Sequence, residues 1–361
     1  MTLLYLIFVI LFGFTALVLL IIRRSGDQRK ASGANLNQIT LIIPFRNEEK
    51  NLPFLLSDLR EQKELPGKML FVDDHSTDRS ADFVSDYVSV NDKCYLIRLP
   101  DSRTGKKQAI KFGLEKTESE FSLTLDADVR LNSDFFSRLE INPSDDLQIR
   151  PVIMTSKNFF GNFFATEYLF FNSLNYVFSP VFVMSASGAN LLFRNSTFRE
   201  TSTLITHEHI SSGDDYFLLR SFQLRNAKVS VSNELSQAVA TESVSSFAQY
   251  LNQRIRWLGK TKSVRSMPES VMGITVFLYL VGGVLSLTYL LIQGEYTAVV
   301  SLFVIRFVVD TTIFLGYTLR LKQGFKVVFL LLFQIIYPII FLLVVIGALC
   351  YKPQWKGRKI S

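Results

Sequence analysis

The 361-residue sequence predicts an α/β domain built on a mostly parallel sheet, flanked by one N-terminal and about three C-terminal transmembrane helices. Two observations lead to this prediction. Short apolar segments alternate with segments of helical periodicity between residues 39 and 125, which is typical of a parallel sheet covered by helices on both faces. Four long apolar runs lie near the two ends of the chain.

The apolar runs are long enough to cross a membrane. Leu3–Ile22 would reach about 30 Å as a helix, which matches the thickness of a bilayer core. No basic residue precedes this run, and its apolar core is long for a signal peptide, so an uncleaved anchor is preferred over that alternative. Three further runs lie near the C-terminus: Val271–Ile292, Thr297–Leu319 and Val327–Leu349.

The net charge of +7 is partly concentrated beside these runs. Because loops rich in Lys and Arg tend to stay in the cytoplasm, residues 23 to about 270 are expected on the cytoplasmic side. Nucleic acid is not expected as a partner, since the sequence lacks the basic and aromatic pattern of a known reader. The basic residues that flank the first two runs are Arg23, Arg24, Arg29, Lys30, Lys260, Lys262 and Arg265.

The C-terminus conflicts with the same rule. Three spans after a cytoplasmic domain would place the basic tail, residues 350–361, outside the cytoplasm. Pro338 could mark a re-entrant hairpin in the last run, or the rule could be broken here. The sequence leaves both interpretations open.

The composition divides the chain into six segments. Only two cysteines are present, Cys94 and Cys350, and they indicate neither a disulfide framework nor a thiolate metal site. The expected segments are an anchor (1–22), a polar linker (23–38), the globular domain (39–243), an amphipathic interfacial helix (244–270), the membrane region (271–349) and the tail (350–361).

The elements of the globular domain follow in order. Strands are expected at Ile39–Ile43, Met69–Val72, Tyr95–Leu99, Phe121–Leu125 and Asn190–Phe193. Helices are expected at Glu48–Gln62, Ser80–Val90, Lys106–Lys116, Phe159–Phe178, Gly213–Leu224 and Val244–Leu258. In parallel sheets ligands bind beyond the carboxyl ends of the strands. Acidic residues at those ends therefore mark a candidate site: Asp73, Asp74, Asp126 and Asp128.

Asp126-Ala127-Asp128 follows a strand and could bind a metal ion. Alternate residues at a strand end point to opposite faces, but a turn would let both carboxylates approach one divalent cation. Oxygen ligands suit Mg²⁺ or Mn²⁺, which commonly bind substrate phosphates as well. A solvated turn is the competing explanation, because the Asp-x-Asp pattern is weak when taken alone.

Two further segments of the same region are candidates. In Asp73–Asp78, Ser76 or Thr77 could cap the following helix, while Asp74 could accept a hydrogen bond from a base or ribose. Gly105-Lys106-Lys107 opens a helix, and a glycine turn with cations at a helix N-terminus suits a phosphate. A solvated basic helix start explains the same residues.

The remaining candidates lie later in the chain. Asp214-Asp215 could complement a helix dipole or supply a general base. Gln253 and Arg256 share one helix face beside Trp257, so that they could bind phosphate oxygens and a ring, or simply anchor the helix at a membrane surface. Arg306 and Asp310, four apart in an apolar run, could pair with each other or line a polar path.

In this order the motifs resemble those of the family 2 inverting glycosyltransferases, particularly the membrane-embedded branch of cellulose, chitin, hyaluronan and poly-N-acetylglucosamine synthases and ceramide glucosyltransferases. The resemblance covers about residues 39–260 and the flanking spans. Each motif is modest alone, and their shared order is specific. The motifs are Ile43–Glu48, Val72–Asp78, Gly105-Lys106, Asp126-Ala127-Asp128, Gly213-Asp214-Asp215 and Gln253–Trp257.

The resemblance implies a role for each matching residue. Pro44, Asn47, Glu48 and Asp74 would hold the uridine of the donor. Lys106 would approach the diphosphate, Asp126 would contact the nucleotide and the metal, and Asp128 would ligate Mg²⁺ or Mn²⁺. Asp215, or its neighbour Asp214, would act as the catalytic base. Gln253, Arg256 and Trp257 would hold the diphosphate and border the acceptor.

The resemblance also implies a GT-A fold, which is Rossmann-like, and an activity. A sugar would pass from a UDP-sugar to a lipid or saccharide hydroxyl at the cytoplasmic face of a membrane, expected to be a bacterial inner membrane. Membrane lipids and envelope-assembly proteins would be the further partners. A processive polysaccharide synthase and a catalytically inactive scaffold subunit of an envelope glycan assembly are the alternatives.

Overall fold

A computed structural model describes residues 2–26, 32–200, 214–260, 267–350, 354–355 and 358–359. The chain divides into two compact units, each made of segments that are discontinuous in sequence. The sheet unit comprises Lys30–Thr155, Ser185–Glu242 and Ile360–Ser361. The membrane unit comprises Met1–Arg29, Ser156–Met184 and Ser243–Lys359.

The sheet unit contains eleven strands within its described residues. In chain order they are β1 Ser32–Gly33, β2 Ile39–Phe45, β3 Lys68–Asp73, β4 Cys94–Arg98, β5 Phe121–Leu125, β6 Glu140–Ile141, β7 Leu147–Ile149, β8 Val152–Thr155, β9 Asn190–Arg194, β10 Val229–Val231 and β11 Val239–Glu242. Seven of these strands form the main sheet in the order β10-β7-β9-β5-β2-β3-β4. Strand β9 is antiparallel to both of its neighbours, and the other described pairs in this sheet are parallel. The predicted mostly parallel sheet is therefore confirmed.

The central strands are nearly continuous apolar runs because helices cover both faces of the sheet. Every residue of β2 and β5 is buried, whereas β4 at the edge is buried only in part. Strands β7, β8, β10 and β11 were not predicted, since each has only three or four residues and shows no clear alternation.

The predicted helices begin and end close to the expected positions except at the start of Leu52–Arg60, and the helix Asn195–Glu200 was not predicted. The sheet unit contains α2 Leu52–Arg60, α3 Ser80–Val88, α4 Lys106–Glu115, α6 Asn195–Glu200 and α7 Asp214–Leu224; the membrane unit contains α1 Thr2–Gly26, α5 Phe159–Phe178, α8 Phe247–Lys260, α9 Met267–Ile292, α10 Tyr296–Thr318 and α11 Phe329–Cys350. The helix predicted from Glu48 starts only at Leu52. Side chains from another loop hold the backbone of Asn47–Glu49 in a turn, and Asn47 has a positive φ of 51°.

The sheet opens at one point of its carboxyl edge. Strands β2 and β3 remain paired as far as Phe45 and Asp73, but the pairing of β2 with β5 ends at Ile42 and Thr124. Chain order also reverses between β2 and β5, because β3 and β4 lie on one side of β2 and β5 lies on the other. Such a reversal is where open α/β sheets bind ligands.

Among the described residues, four helical segments are long and apolar enough to cross a membrane, as predicted. Of the two interpretations that the sequence left open, the re-entrant hairpin at Pro338 does not fit, because α11 continues as one helix through this residue. The basic tail that raised the topology conflict falls largely outside the described residues. The four segments are Thr2–Arg23, Met267–Ile292, Tyr296–Thr318 and Gly324–Cys350.

Helix α5 groups with these apolar helices and interrupts the predicted globular domain 39–243. Its aromatic side chains explain this, because they pack on α11. The ring centroids of Phe170 and Phe333 are 4.7 Å apart, and those of Phe171 and Tyr337 are 5.5 Å apart. From the sequence, α5 was expected within the globular domain. The predicted domain boundaries stay predictions.

A buried polar cluster links the apolar helices. Tyr5 donates to the backbone oxygen of Tyr279 at 2.7 Å, and the Tyr279 hydroxyl donates to Asp310 at 2.7 Å. Gln334 donates to the second oxygen of Asp310, also at 2.7 Å. Arg306 is buried with its guanidinium 5.0 Å from the Tyr279 ring centroid. Polar groups that are buried among apolar helices need such partners.

Gly113 sets the distance between α4 and the sheet. A Cβ at this position would lie 2.9 Å from Ile42 Cγ2, which is too close for van der Waals contact. We expect Gly113→Leu to destabilise the sheet unit by about 1–3 kcal/mol, because overpacking strains a well-filled core. The midpoint of thermal unfolding in detergent measures the effect.

Gly33→Leu is the matched control, because nothing lies within 4 Å of a Cβ there. Equal unfolding midpoints for the two variants would contradict the close packing of α4 on β2.

Candidate active site

Three loops bring the candidate residues to the opened edge of the sheet. The loop after β2 carries Asn47 and Glu48, the loop after β3 carries Asp74, and the loop after β5 carries Asp126 and Asp128. Parallel strands end at the same edge, so these loops are neighbours by topology. Pro44 lies within β2, beyond the last residue that pairs with β5. A proline is compatible with this position because the ladder on that side has already ended.

The loop after β2 is held by side chains of the loop after β3. The backbone N–H groups of Asn47, Glu48 and Glu49 donate to Ser76 Oγ, Ser80 Oγ and Asp78 Oδ2 at 3.1, 2.7 and 3.1 Å. In return, Asn47 Oδ1 accepts from the backbone N–H of Thr77 at 2.8 Å. The loop that bears Asn47 and Glu48 is therefore fixed before any ligand arrives.

These contacts correct the predicted helix cap. Helix α3 begins at Ser80, and its N-cap residue is Arg79 rather than Ser76 or Thr77. Asp78 also holds the loop after β2, because its carboxylate accepts from the Glu49 N–H. Burial would raise its pKa, but hydrogen bonds from Ser80 and from the Glu49 N–H hold the pKa of this carboxyl below its usual value.

The two adjacent aspartates after β3 have different partners. Asp73 Oδ1 accepts from the backbone N–H of Ser76 at 2.8 Å, which shapes its own loop. Asp74 is buried, and its Oδ1 accepts from the Gly105 N–H at 3.0 Å. Gly105 has a φ of 94°, a left-handed conformation that favours glycine. Asp74 thus ties the start of α4 to the end of β3.

Lys106 connects the start of α4 to the loop after β5. Its Nζ lies 2.5 Å from Asp126 Oδ1. Asp128 is partly exposed to solvent, but many protein atoms surround its carboxylate. This desolvation, followed by the negative charges of Asp126 and Glu48, raises the pKa of Asp128. The positive charge of Lys106 opposes the increase. The loop therefore concentrates negative charge that a cation would relieve.

Asp126 and Asp128 fit a divalent cation whose coordination shell would also include substrate oxygens and water. Within the described ranges, no group of three His, Cys, Asp or Glu side chains could hold a metal ion. Asp126 and Asp128 would contribute their carboxylates, and phosphate oxygens and water would complete the coordination. Mg²⁺ is commonly bound in this way, through one or two carboxylates and the substrate.

Asp58 clamps the loop after β5 and was missed by the sequence analysis. Arg130 donates from Nε and Nη2 to the two Asp58 oxygens at 2.7 Å each, and the Leu131 N–H donates to Asp58 Oδ2 at 2.9 Å. Arg130 follows Asp128 by two residues, so this pair fixes the chain just beyond the candidate metal ligands. An aspartate within the predicted helix Glu48–Gln62 gave no sign of a partner 72 residues away.

Asp215 lies in the first turn of α7, with its carboxylate held on one side. Its Oδ2 accepts from the Gly188 N–H at 3.4 Å, and its Oδ1 accepts from the Tyr216 N–H at 2.7 Å. The side chain of Asp214 and the whole of Gly213 lie outside the described residues. The choice of Asp215 over Asp214 as the base stays a prediction.

Gln253, Arg256 and Trp257 lie on α8 in the membrane unit, and all three are half-buried. Between them, the buried Arg254 pairs with Glu167 of α5. The sequence analysis missed this pair. A single acid in the aromatic run Phe159–Phe178 was the available signal, because a buried carboxylate requires a partner.

The sequence matches two family profiles. Residues 40–198 match one described as Glycosyl transferase family 2, and residues 123–351, well over half of the chain, match one described as Glycosyl transferase family group 2. The chain is 34% identical over 109 residues to 4,4'-diaponeurosporenoate glycosyltransferase of Staphylococcus haemolyticus, a match that covers 29% of this chain and 28% of that protein.

A second curated relative is the undecaprenyl-phosphate 4-deoxy-4-formamido-L-arabinose transferase of Proteus mirabilis. It is 30% identical over 98 residues, which are 26% of this chain and 30% of that protein. The chain therefore spans under a third of the length of either relative.

Among solved structures, the fold is similar to that of the mannosyltransferase PcManGT from Pyrobaculum calidifontis in complex with GDP-Man and Mn²⁺. The TM-score is 0.53 at 14% identity, over 96% of this chain and 99% of that one. At this identity the likeness shows the fold. Together with the family profiles, it establishes that the protein belongs to the family 2 glycosyltransferases and has their GT-A fold.

Proposed function

We propose that the protein transfers one sugar from a UDP-sugar to a lipid or saccharide hydroxyl, with inversion at the anomeric carbon. The observation that supports this most is the gathering of polar side chains at the opened sheet edge. Asn47, Asp74, Asp126 and Asp128 lie on neighbouring loops there, and Lys106 at the start of α4 lies beside Asp126. Nucleotides bind at this position in open α/β sheets. Within the family, the proposal places the protein in the membrane-embedded branch.

The donor nucleotide would be held by the prearranged loops. Asp74 and the Pro44–Glu48 segment would hold the uridine through hydrogen bonds. The backbone of the loop after β2 is already fixed for this by Ser76, Asp78 and Ser80. Lys106 sits at the start of α4, where the helix N-terminus and an ammonium both favour an anion. Lys106 would leave Asp126 to meet the diphosphate.

Asp126 and Asp128 would hold Mg²⁺ or Mn²⁺ together with the diphosphate. When bound, the cation would offset the negative charge on the leaving group. Asp126 and Asp128 would orient it from the loop that Asp58 and Arg130 clamp. The cluster of negative charge around Asp128 supports this assignment.

Asp215 would act as the general base. Its carboxylate takes the proton from the acceptor hydroxyl while the hydroxyl oxygen forms a bond to the anomeric carbon. The bond from that carbon to the diphosphate oxygen breaks, and its electron pair leaves with UDP. A single displacement inverts the anomeric carbon, and no covalent intermediate on the enzyme is needed. Gln253, Arg256 and Trp257 would hold the diphosphate and border the acceptor.

A lipid acceptor at the cytoplasmic membrane face is the favoured choice. The part of the chain that the structure describes has four helices apolar enough to cross a membrane, and two relatives are named after undecaprenyl phosphate and 4,4'-diaponeurosporenoate. The basic residues that flank the first two spans favour a cytoplasmic catalytic unit in a bacterial inner membrane.

UDP release by the purified protein in detergent tests the activity. With UDP-glucose, UDP-N-acetylglucosamine or UDP-galactose, Mn²⁺ and a lipid extract, we expect release with one donor and its loss on adding EDTA. Asp215→Asn should lower the rate about 10²–10⁴-fold, because it removes the base. Asp128→Ala should abolish UDP release, because it removes one of the two proposed metal ligands.

The outcomes separate the three alternatives. A product that carries one sugar supports single transfer, whereas a ladder of long products supports the processive synthase. Release that persists unchanged in both variants contradicts the assigned roles. No release and no UDP binding by the unaltered protein would overturn the enzyme proposal in favour of the scaffold.

Thiol labelling tests the membrane face. In a Cys94→Ser, Cys350→Ser background, a cysteine at the exposed Asp101 reports on the sheet unit. We expect a membrane-impermeant maleimide to miss this cysteine in intact cells and to label it in inverted vesicles, because residues 23–270 are proposed to face the cytoplasm.

Gln293→Cys in the same background is the matched control, since Gln293 lies just after α9 on the opposite side of that span. The reverse labelling pattern for the two cysteines would contradict the proposed orientation.

A further inference from the structure

The pair formed by Glu167 and Arg254 is buried and has several contacts. The exposed fractions of the two side chains are 3% and 7%. Arg254 Nε lies 2.8 Å from one Glu167 oxygen and 3.2 Å from the other, and Nη2 donates to Glu167 Oε2 as well. Planar guanidinium and carboxylate groups that meet at several atoms fix each other's orientation.

Aromatic rings further restrict the guanidinium. Its central carbon lies 4.7 Å from the Tyr250 ring centroid and 4.3 Å from that of Trp257. Tyr168 of α5 lies 6.0 Å from the Trp257 ring. Cation–π contacts of this kind strengthen when they are shielded from water. Movement of Arg254 would therefore release the Trp257 ring.

Arg254 also sets the direction of the Gln253 amide. Its Nη1 donates to Gln253 Oε1 at 2.7 Å. A glutamine amide has an acceptor end and a donor end, and the acceptor end is used here. The NH₂ group is thus the end of Gln253 that remains to meet phosphate oxygens. Without Arg254 in place the amide could rotate and present its carbonyl oxygen to an anion.

Stability alone does not account for this pair. Buried ion pairs can often be replaced by apolar residues without loss of stability, because desolvating two charges offsets much of their attraction. Glu167 lies on α5 and Arg254 on α8, with apolar side chains around both. What the ion pair adds over an apolar contact is a defined orientation for Arg254, and through it for Gln253 and Trp257.

We propose that Glu167 is a positioning residue for the donor diphosphate: it orients Arg254, and Arg254 holds the Gln253 amide and the Trp257 ring in their binding arrangement. This rests on the proposed function, in which Gln253, Arg256 and Trp257 hold the diphosphate. Removing the Glu167 charge should therefore weaken contacts to the second phosphate and leave contacts to the nucleoside monophosphate intact.

Calorimetric titration of the full-length protein in detergent with Mn²⁺ tests this, using UDP against UMP and GDP against GMP. We expect Glu167→Gln to weaken binding of the diphosphate about 10-fold or more, because small displacements of binding groups have large effects. Monophosphate binding should stay within about twofold, since it is assigned to loops of the sheet unit. Glu64→Gln, at an exposed acid after α2, is the matched control and should change neither.

A spectroscopic readout keeps the test independent of activity. The chain contains two tryptophans, Trp257 and Trp355, so in a Trp355→Phe background the fluorescence anisotropy reports on Trp257 alone. Glu167→Gln should lower this anisotropy through faster ring motion. Arg254→Lys should act likewise, because an ammonium keeps the charge but loses the planar fork that reaches Glu167 and Gln253 together.

The binding and anisotropy results decide whether Glu167 has a positioning role. Equal loss of diphosphate and monophosphate binding, or unchanged binding of both with unchanged anisotropy, would overturn the positioning role. If Glu167→Gln does not fold, the same comparison is made with Arg254→Lys. An unaltered protein that binds none of the four nucleotides would instead overturn the proposed function on which this role rests.

Discussion

The arrangement of the sheet unit depends on the point at which β2 and β5 separate. Beyond Ile42 and Thr124 the two strands no longer share hydrogen bonds, so their following loops are free to take non-strand conformations. Backbone N–H groups released from the sheet still need acceptors. Side chains of the loop after β3 supply them, which is why the polar segment Asp73–Ser80 follows so apolar a strand.

The membrane unit obeys the same requirement in apolar surroundings. Glu167 on α5 and Asp310 on α10 are both buried, and each accepts hydrogen bonds from side chains of other helices. Unpaired charges in such places would be strongly destabilising. The two acids therefore specify which helices must be neighbours, whereas the apolar residues around them would tolerate several arrangements.

Local periodicity explains what the sequence predicted. The apolar residues of β2 to β5, of their helices and of the four spans recur regularly within a short stretch of sequence. The position of the acids at the strand ends then follows from the topology of a parallel sheet. The misplaced start of α2, the Asp58–Arg130 clamp and the Glu167–Arg254 pair were missed because their causes lie about 30, 72 and 87 residues away along the chain. The candidate site could be located at an edge of the sheet, but not the side chains that hold its loops.

The hydrogen bond from Tyr5 to Tyr279 joins residues 274 positions apart. Translation reaches Tyr279 only after residues 30–242, which contain nearly all of the sheet unit, so an interval separates the synthesis of the two partners. At 5–20 residues per second this interval is on the order of tens of seconds. During that time the Tyr5 hydroxyl lacks this acceptor. The contact between α1 and α9 can therefore form only late in the synthesis of the chain.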